Sequence, residues 1–191
     1  MGFIQSLLDI LNFFFKNKYE SVQKSKQFEV YFYNELNDLK DIMKENVETL
    51  HETYFLSRKL ELIETFIDDF KYIIPSHYQS GFERNFDKEH YIDLTRDQRR
   101  ALRSIDIFLK DYNENVIKIR GRDIQDISSR EIGRCLHDAC GLYLLANNCY
   151  EQKERYRHVN KNPQEIRSDV FTALKLQQIT KRNIFSYELR R

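Results

Sequence analysis

Two arginine–histidine pairs have the residue types and spacing to move a proton beside a phosphate. Arg84, followed by the polar Asn85, stands ahead of His90, and Arg130 stands ahead of His137. A guanidinium stabilises charge developing on a phosphoryl group, while an imidazole takes the proton from a ribose 2′-hydroxyl. A second set, His137, Cys140, Cys149 and His158, holds metal-ligand side chains. His137 and Cys140 are three apart on one helical face, but the spacing to the other two matches no structural zinc pattern. We therefore expect no metal and no cofactor, with Cys135, Cys140 and Cys149 as reduced thiols packed like small hydrophobes. Five glycines leave no phosphate-cradling loop. HExxH, CxxC and Gly-x-Ser-x-Gly are absent too, and no small-molecule substrate is evident.

The arginine–histidine spacing resembles that of helical ribonucleases of the HEPN type, which are all-helical and of similar size. That resemblance rests on Arg84 with His90 and on Arg130 with His137 alone. At the second place Glu131 stands where the family has Asn, Asp or His. It implies metal-independent RNA cleavage, with Arg and His as the catalytic residues and a toxin or phage-defence role.

A basic patch runs through Arg96, Arg99, Arg100 and Arg103 and continues at Arg120 and Arg122. Residues 1–95 carry 11 Lys and Arg against 17 Asp and Glu, and residues 96–191 carry 20 against 13. The net charges of −6 and +7 almost cancel over the chain. Such a split suits either acidic and basic faces that pack together or a basic half facing nucleic acid or an acidic partner.

The elements that must carry these residues are helices. Glycine numbers 5 and proline 2, too few for many strands and turns. Between Glu20 and Ile74, which contains neither, apolar residues recur at steps of three and four from Phe28 onward. Residues 18–74 are thus one coiled-coil-like rod, or two helices broken near polar Asn46, Thr49, Thr53 and Ser57. Capping boxes at Thr95 with Gln98 and Ser128 with Glu131, and Asn162-Pro163-Gln164-Glu165, open three shorter helices within 95–181. The first is expected to stop at Asn113-Glu114-Asn115, with Val116–Arg122 as a short extended piece, and the last to run to about Ile179. Phe185 and Tyr187 pin the tail. The expectation is an all-α bundle of one domain, 18–191, preceded by an amphipathic helix over 1–17.

In that leading helix, Phe3, Ile4, Leu7, Leu8, Leu11, Phe14 and Phe15 fall with Ile10 in an arc of about 160°, and Phe13 lies off it. It is too short to cross a bilayer and lacks the features of a secretory signal. These eight residues, Phe13 included and Ile10 aside, are expected to bind a partner protein or a second copy. Peripheral contact with a membrane is the lesser alternative. Reduced thiols point to the cytoplasm, and the Lys-, Asn-, Ile- and Phe-rich composition to a bacterial genome. The leading functional expectation is a non-enzymatic interaction protein or accessory subunit of a larger assembly. The HEPN-like ribonuclease and a nucleic-acid-binding module are the alternatives.

Overall fold

The computed structural model describes residues 2–63, 74–79, 94–122 and 126–186, with side chains described for residue 20 and for 22–61, 74–79, 94–122 and 126–184. Among these residues every regular element is helical: α1 (Gly2–Ile63), α2 (Arg96–Ile119), α3 (Ser129–Gln152), a 3-10 turn (Lys153–Arg155), α4 (Pro163–Ala173) and α5 (Lys181–Ser186). The all-α bundle with a long first helix is the observed fold.

Helix α1 is one rod of 62 residues, about 93 Å at the helical rise. Its stripe Phe28, Phe32, Leu36, Leu39, Met43, Val47 and Leu50 is buried. Burying each such side chain is worth roughly 1.5–3 kcal/mol against exposure. The polar interruption expected to weaken the stripe does not break the helix. Thr53 Oγ1 donates to Thr49 O at 2.9 Å and Ser57 Oγ to Tyr54 O at 3.0 Å. Both hydroxyls are thereby satisfied by the helix itself and enter the core at little cost.

Helix α3 is the hub, packing against α1, α2, α4 and the 3-10 turn. Ile132, Cys135, Leu136, Ala139, Cys140, Leu142, Ala146 and Cys149 are all fully buried along it. Two glycines set its distances to its neighbours. A Cβ at Gly133 would lie 2.9 Å from Tyr54 of α1, and one at Gly141 2.8 Å from Phe108 of α2. The helix starts are as the capping residues indicate: Thr95, Ser128 and Asn162 each close a capping box, and Pro163 takes the first turn of α4. At the start of α3, Arg122 bonds the Glu131 carboxylate at 2.7 Å and helps pull its pKa down to about 2. Glu61 of α1 reaches the same end, accepting from Ser129 N at 3.0 Å and Ser129 Oγ at 2.8 Å.

Two helix ends differ from expectation. Helix α2 does not stop at Asn113–Asn115 but continues to Ile119, so the extended piece over Val116–Arg122 does not exist. Val116 and Ile119 are buried while Ile117 is 61% exposed, a helical and not an alternating pattern. The asparagines there serve tertiary bonds: Asn113 pairs with both N and O of Tyr78, and Asn115 Nδ2 donates to Asp138 at 2.9 Å. Helix α4 ends at Ala173, short of Ile179. Lys175 takes the left-handed conformation (φ 56°), and Leu176 N donates back to Phe171 O at 2.7 Å. This closes the last turn and redirects the chain.

The redirected segment returns to α1. His51, 3% exposed between Phe55 and Phe171, donates through Nε2–H to Gln177 O at 2.8 Å. Burial pushes the His51 pKa below its ordinary 6.5, outweighing the opposing hydrogen bond. An imidazole that resists protonation in the fold takes up a proton more readily once unfolded. Its contribution to stability is therefore present above pH 6.5 and is lost as pH falls through the depressed folded pKa. His51→Gln keeps a donor and removes the titration. In urea unfolding, wild type should lose stability relative to this variant between pH 7 and 5, by up to about 1.4 kcal/mol per pH unit. A constant difference across that range would show that His51 titrates alike in both states.

Candidate functional site

The richest meeting of polar side chains is an open cleft of about 440 Å³, within the usual range for small-ligand sites of roughly 300–1,000 Å³. Arg130, Gly133, Arg134, His137 and Asp138 of α3 line it with Tyr54 of α1, Asp111 and Asn115 of α2, and Pro163 and Arg167 of α4. Arg130, Arg134 and His137 fall on one face of α3 because steps of four and three return to the same side. The sequence-derived pair Arg130 and His137 is thus brought to one site. Arg84 and His90 lie outside the described residues.

Basic and acidic side chains both line the cleft. Among the described residues, none of Arg130, Arg134 and Arg167 reaches a carboxylate at ion-pair distance, whereas Arg58, Arg100 and Arg122 each do. Asp111, from α2, is exposed. Asp138 is 7% exposed and accepts from Asn115. Burial, reinforced by Asp111, raises its pKa to about 6 against the pull of Asn115 and Arg134. His137 moves the other way: burial and then the nearby Arg167 cation depress its pKa. Its Nδ1 is buried without a hydrogen-bond partner among the described residues, and its ring meets Phe108 edge-on at 5.8 Å. A neutral imidazole and a carboxyl that holds its proton more tightly than usual are adjacent in sequence, in a cleft that three arginines also line. Such opposed shifts in a cleft mark sites that transfer protons or bind anions.

The other candidates fare differently. Cys135, Cys140 and Cys149 are buried free thiols whose pKa values burial pushes up to about 12, the behaviour of core residues. His158 Nδ1 is 3.1 Å from the Tyr156 hydroxyl. In the basic patch, Arg99 donates to Leu94 O at 2.6 Å, Arg100 lies 3.7 Å from Asp97, and Arg122 is held by Glu131. Arg96, Arg103 and Arg120 are exposed. No ion pair among the described residues joins this patch to the acidic face of α1, where Glu29, Asp38, Asp41, Glu45 and Glu52 stay exposed. The side chains of Phe3, Ile4, Leu7, Leu8, Leu11, Phe13, Phe14 and Phe15 lie outside the described residues, as do those of Phe185 and Tyr187, although the backbone of α1 is helical from Gly2. The described side chains between Glu20 and Gln27 are exposed apart from half-buried Ser25, and Phe28 is the first buried hydrophobic residue among the described side chains. No described helix is long and apolar enough to cross a membrane.

Tyr54, Asn115, Asp138 and Arg167 are site residues that spacing alone did not single out, because four separate helices supply the cleft. Asp138 carried no local signal, since its raised pKa comes from burial against α2.

Compared with known protein families, with curated proteins and with solved structures, the chain matches none.

An ionised Asp138 costs stability, since the folded state prefers it protonated. That cost is full above about pH 6 and is relieved as pH falls from 6 towards the ordinary 3.8. Asp138→Asn preserves an acceptor for Asn115 and should raise stability at pH 7.5 by about 1–3 kcal/mol. The gain should shrink on titration to pH 4.5. Denaturant midpoints across that range test this, and a loss at pH 7.5 would mean the carboxylate charge is stabilising.

Proposed function

We propose that the protein acts as a non-enzymatic interaction subunit, holding a protein partner or a second copy through the N-terminal part of α1. The observation that carries this reading is a mismatch of lengths. Helix α1 has 62 residues, α2 and α3 have 24 each, and the described core takes up α1 only from Phe28 onward. A helix that leaves its bundle keeps its hydrogen bonds but loses the packing that stabilises most protein helices. The sequence over Phe3–Phe15 supplies an apolar stripe on that extension, with Phe13 beside it, and another helical surface would restore the packing. A bacterial, cytoplasmic assembly fits the composition and the buried reduced thiols. Light scattering of the purified chain should give a mass above the monomer, or a copurifying protein in fixed ratio. Leu8→Asp with Leu11→Asp should release it while leaving the unfolding midpoint of the bundle unchanged. A monomer at tens of micromolar with nothing copurifying contradicts the proposal.

The cleft favours a second reading, the HEPN-like ribonuclease. Arg130 and His137 share one cleft with two further guanidiniums. There a neutral imidazole would accept the 2′-hydroxyl proton while the arginines offset the phosphoryl charge. Cleavage of a labelled oligoribonucleotide in the presence of chelator should then fall at least about 100-fold in His137→Ala. RNA left intact by the wild-type chain would remove this reading. The exposed Arg96, Arg103 and Arg120 support nucleic-acid contact only weakly, because their neighbours in the patch are tied to local partners.

A further inference from the structure

We infer that the cleft between α1, α2, α3 and α4 is a binding site for a phosphate group, held by Arg130, Arg134 and Arg167 and accompanied by proton uptake at Asp138. Two observations carry this. First, three arginines from two helices line one concavity, and among the described residues none is matched to a carboxylate. Guanidiniums suit phosphate because their planar donor fork fits two oxygens at once. Second, the nearby acid is turned to another use. Asp138 is buried and its described hydrogen bond goes to Asn115, so it sets the charge of the floor without closing the arginines off.

Proton uptake is a matter of charge balance. With His137 neutral, three arginines against Asp111 and Asp138 leave the lining at a net +1. A phosphate dianion overcompensates that charge unless one acid is neutralised. Asp138 is the buried acid of the lining and holds its proton more tightly than an ordinary carboxyl, with Asn115 and Asp111 near it from α2, Arg130, Arg134 and His137 sharing the cleft from α3, and Arg167 from α4. Binding of a dianion therefore draws a proton onto Asp138. The cleft volume suits a small phosphorylated ligand, and its openness also admits the phosphate of a strand end. Tyr54 on the rim offers a ring for whatever the phosphate carries.

Binding does not depend on RNA cleavage. Saturable phosphate binding without cleavage keeps the site and removes only the ribonuclease reading. The test is calorimetric titration of the full chain with inorganic phosphate, and with sulfate as a dianion that does not titrate near neutrality. Heats are measured at pH 6.5 in two buffers of different ionisation enthalpy. Saturable binding of both anions is expected, with uptake of a fraction of a proton read from sulfate, since phosphate is largely the monoanion at pH 6.5 and gives up a proton of its own on binding as the dianion. Arg134→Gln and Arg167→Gln should each weaken it about tenfold, the loss expected for one charge-assisted contact. Asp138→Asn should tighten sulfate binding severalfold and abolish the proton uptake. A 5′-mononucleotide and a 5′-phosphorylated oligoribonucleotide, each set against its 5′-hydroxyl counterpart, separate a free small ligand from a strand end. No saturable binding up to tens of millimolar, or equal affinity in the arginine variants, overturns the site. Sulfate binding without proton uptake, or with uptake that persists in Asp138→Asn, overturns the role of Asp138.

Discussion

Helix α3 has little surface to give to water, and the other helices are arranged around that constraint. It meets α1 on one side, α2 on another, and α4 and the 3-10 turn on the rest. Its residues accordingly fall into two kinds. Leu136, Leu142 and Ile132 supply apolar area, while Gly133, Ala139, Gly141 and Ala146 let neighbours approach. A helix hemmed in this way tolerates little change in volume, because close-packed interiors absorb an added methylene only by moving side chains off their rotamers. The three thiols belong to the same economy of space, small and polarizable where larger side chains would not fit.

The polar contacts in the core bind elements that the apolar stripe alone would leave free to slide. Gln98 is 2% exposed, closes its own capping box through Oε1, and donates to the Tyr33 hydroxyl of α1 at 2.9 Å and to Lys153 O at 3.3 Å. Glu61 joins the far end of α1 to the first turn of α3. Burial pushes its carboxyl up, but bonds from Ser129 and Arg58 outweigh this and hold it below the usual range. A negative charge there also suits the positive end of the α3 dipole. The register of α1 against the bundle is thus fixed at two separated points, with the apolar stripe between them.

Much of this was legible locally. Capping boxes depend on residues three apart, so Thr95, Ser128 and Asn162 announced their helices, and the buried stripe of α1 followed from its period. Asparagine misled at 113 and 115 because its tendency to end helices reflects competition for nearby backbone, and here tertiary partners had claimed both side chains. Lys175 misled at the other end, since a left-handed residue with a Cβ leaves no compositional mark. The charge split was read from the sequence, but not its outcome: α1 and α2 meet chiefly through α3, and among the described residues no ion pair joins the acidic face of the one to the basic patch of the other. Of the cleft, only what lies within two turns of α3 was visible. Tyr54, Asn115 and Arg167 join it through packing that no local pattern encodes.

The order of the helices along the chain adds a consequence during synthesis. Helix α1 leaves the ribosome first, yet the helix that covers its stripe begins only at Ser129. At roughly 5–20 residues per second, the rod waits several seconds with Phe28, Phe32 and Leu36 open to other nascent chains. Its outer face carries Glu29, Asp38, Asp41, Glu45 and Glu52. Two such rods side by side repel each other before their apolar stripes can meet. The exposed acids of α1, which among the described residues make no ion pair to another helix, thus oppose association of unfinished chains until α3 arrives.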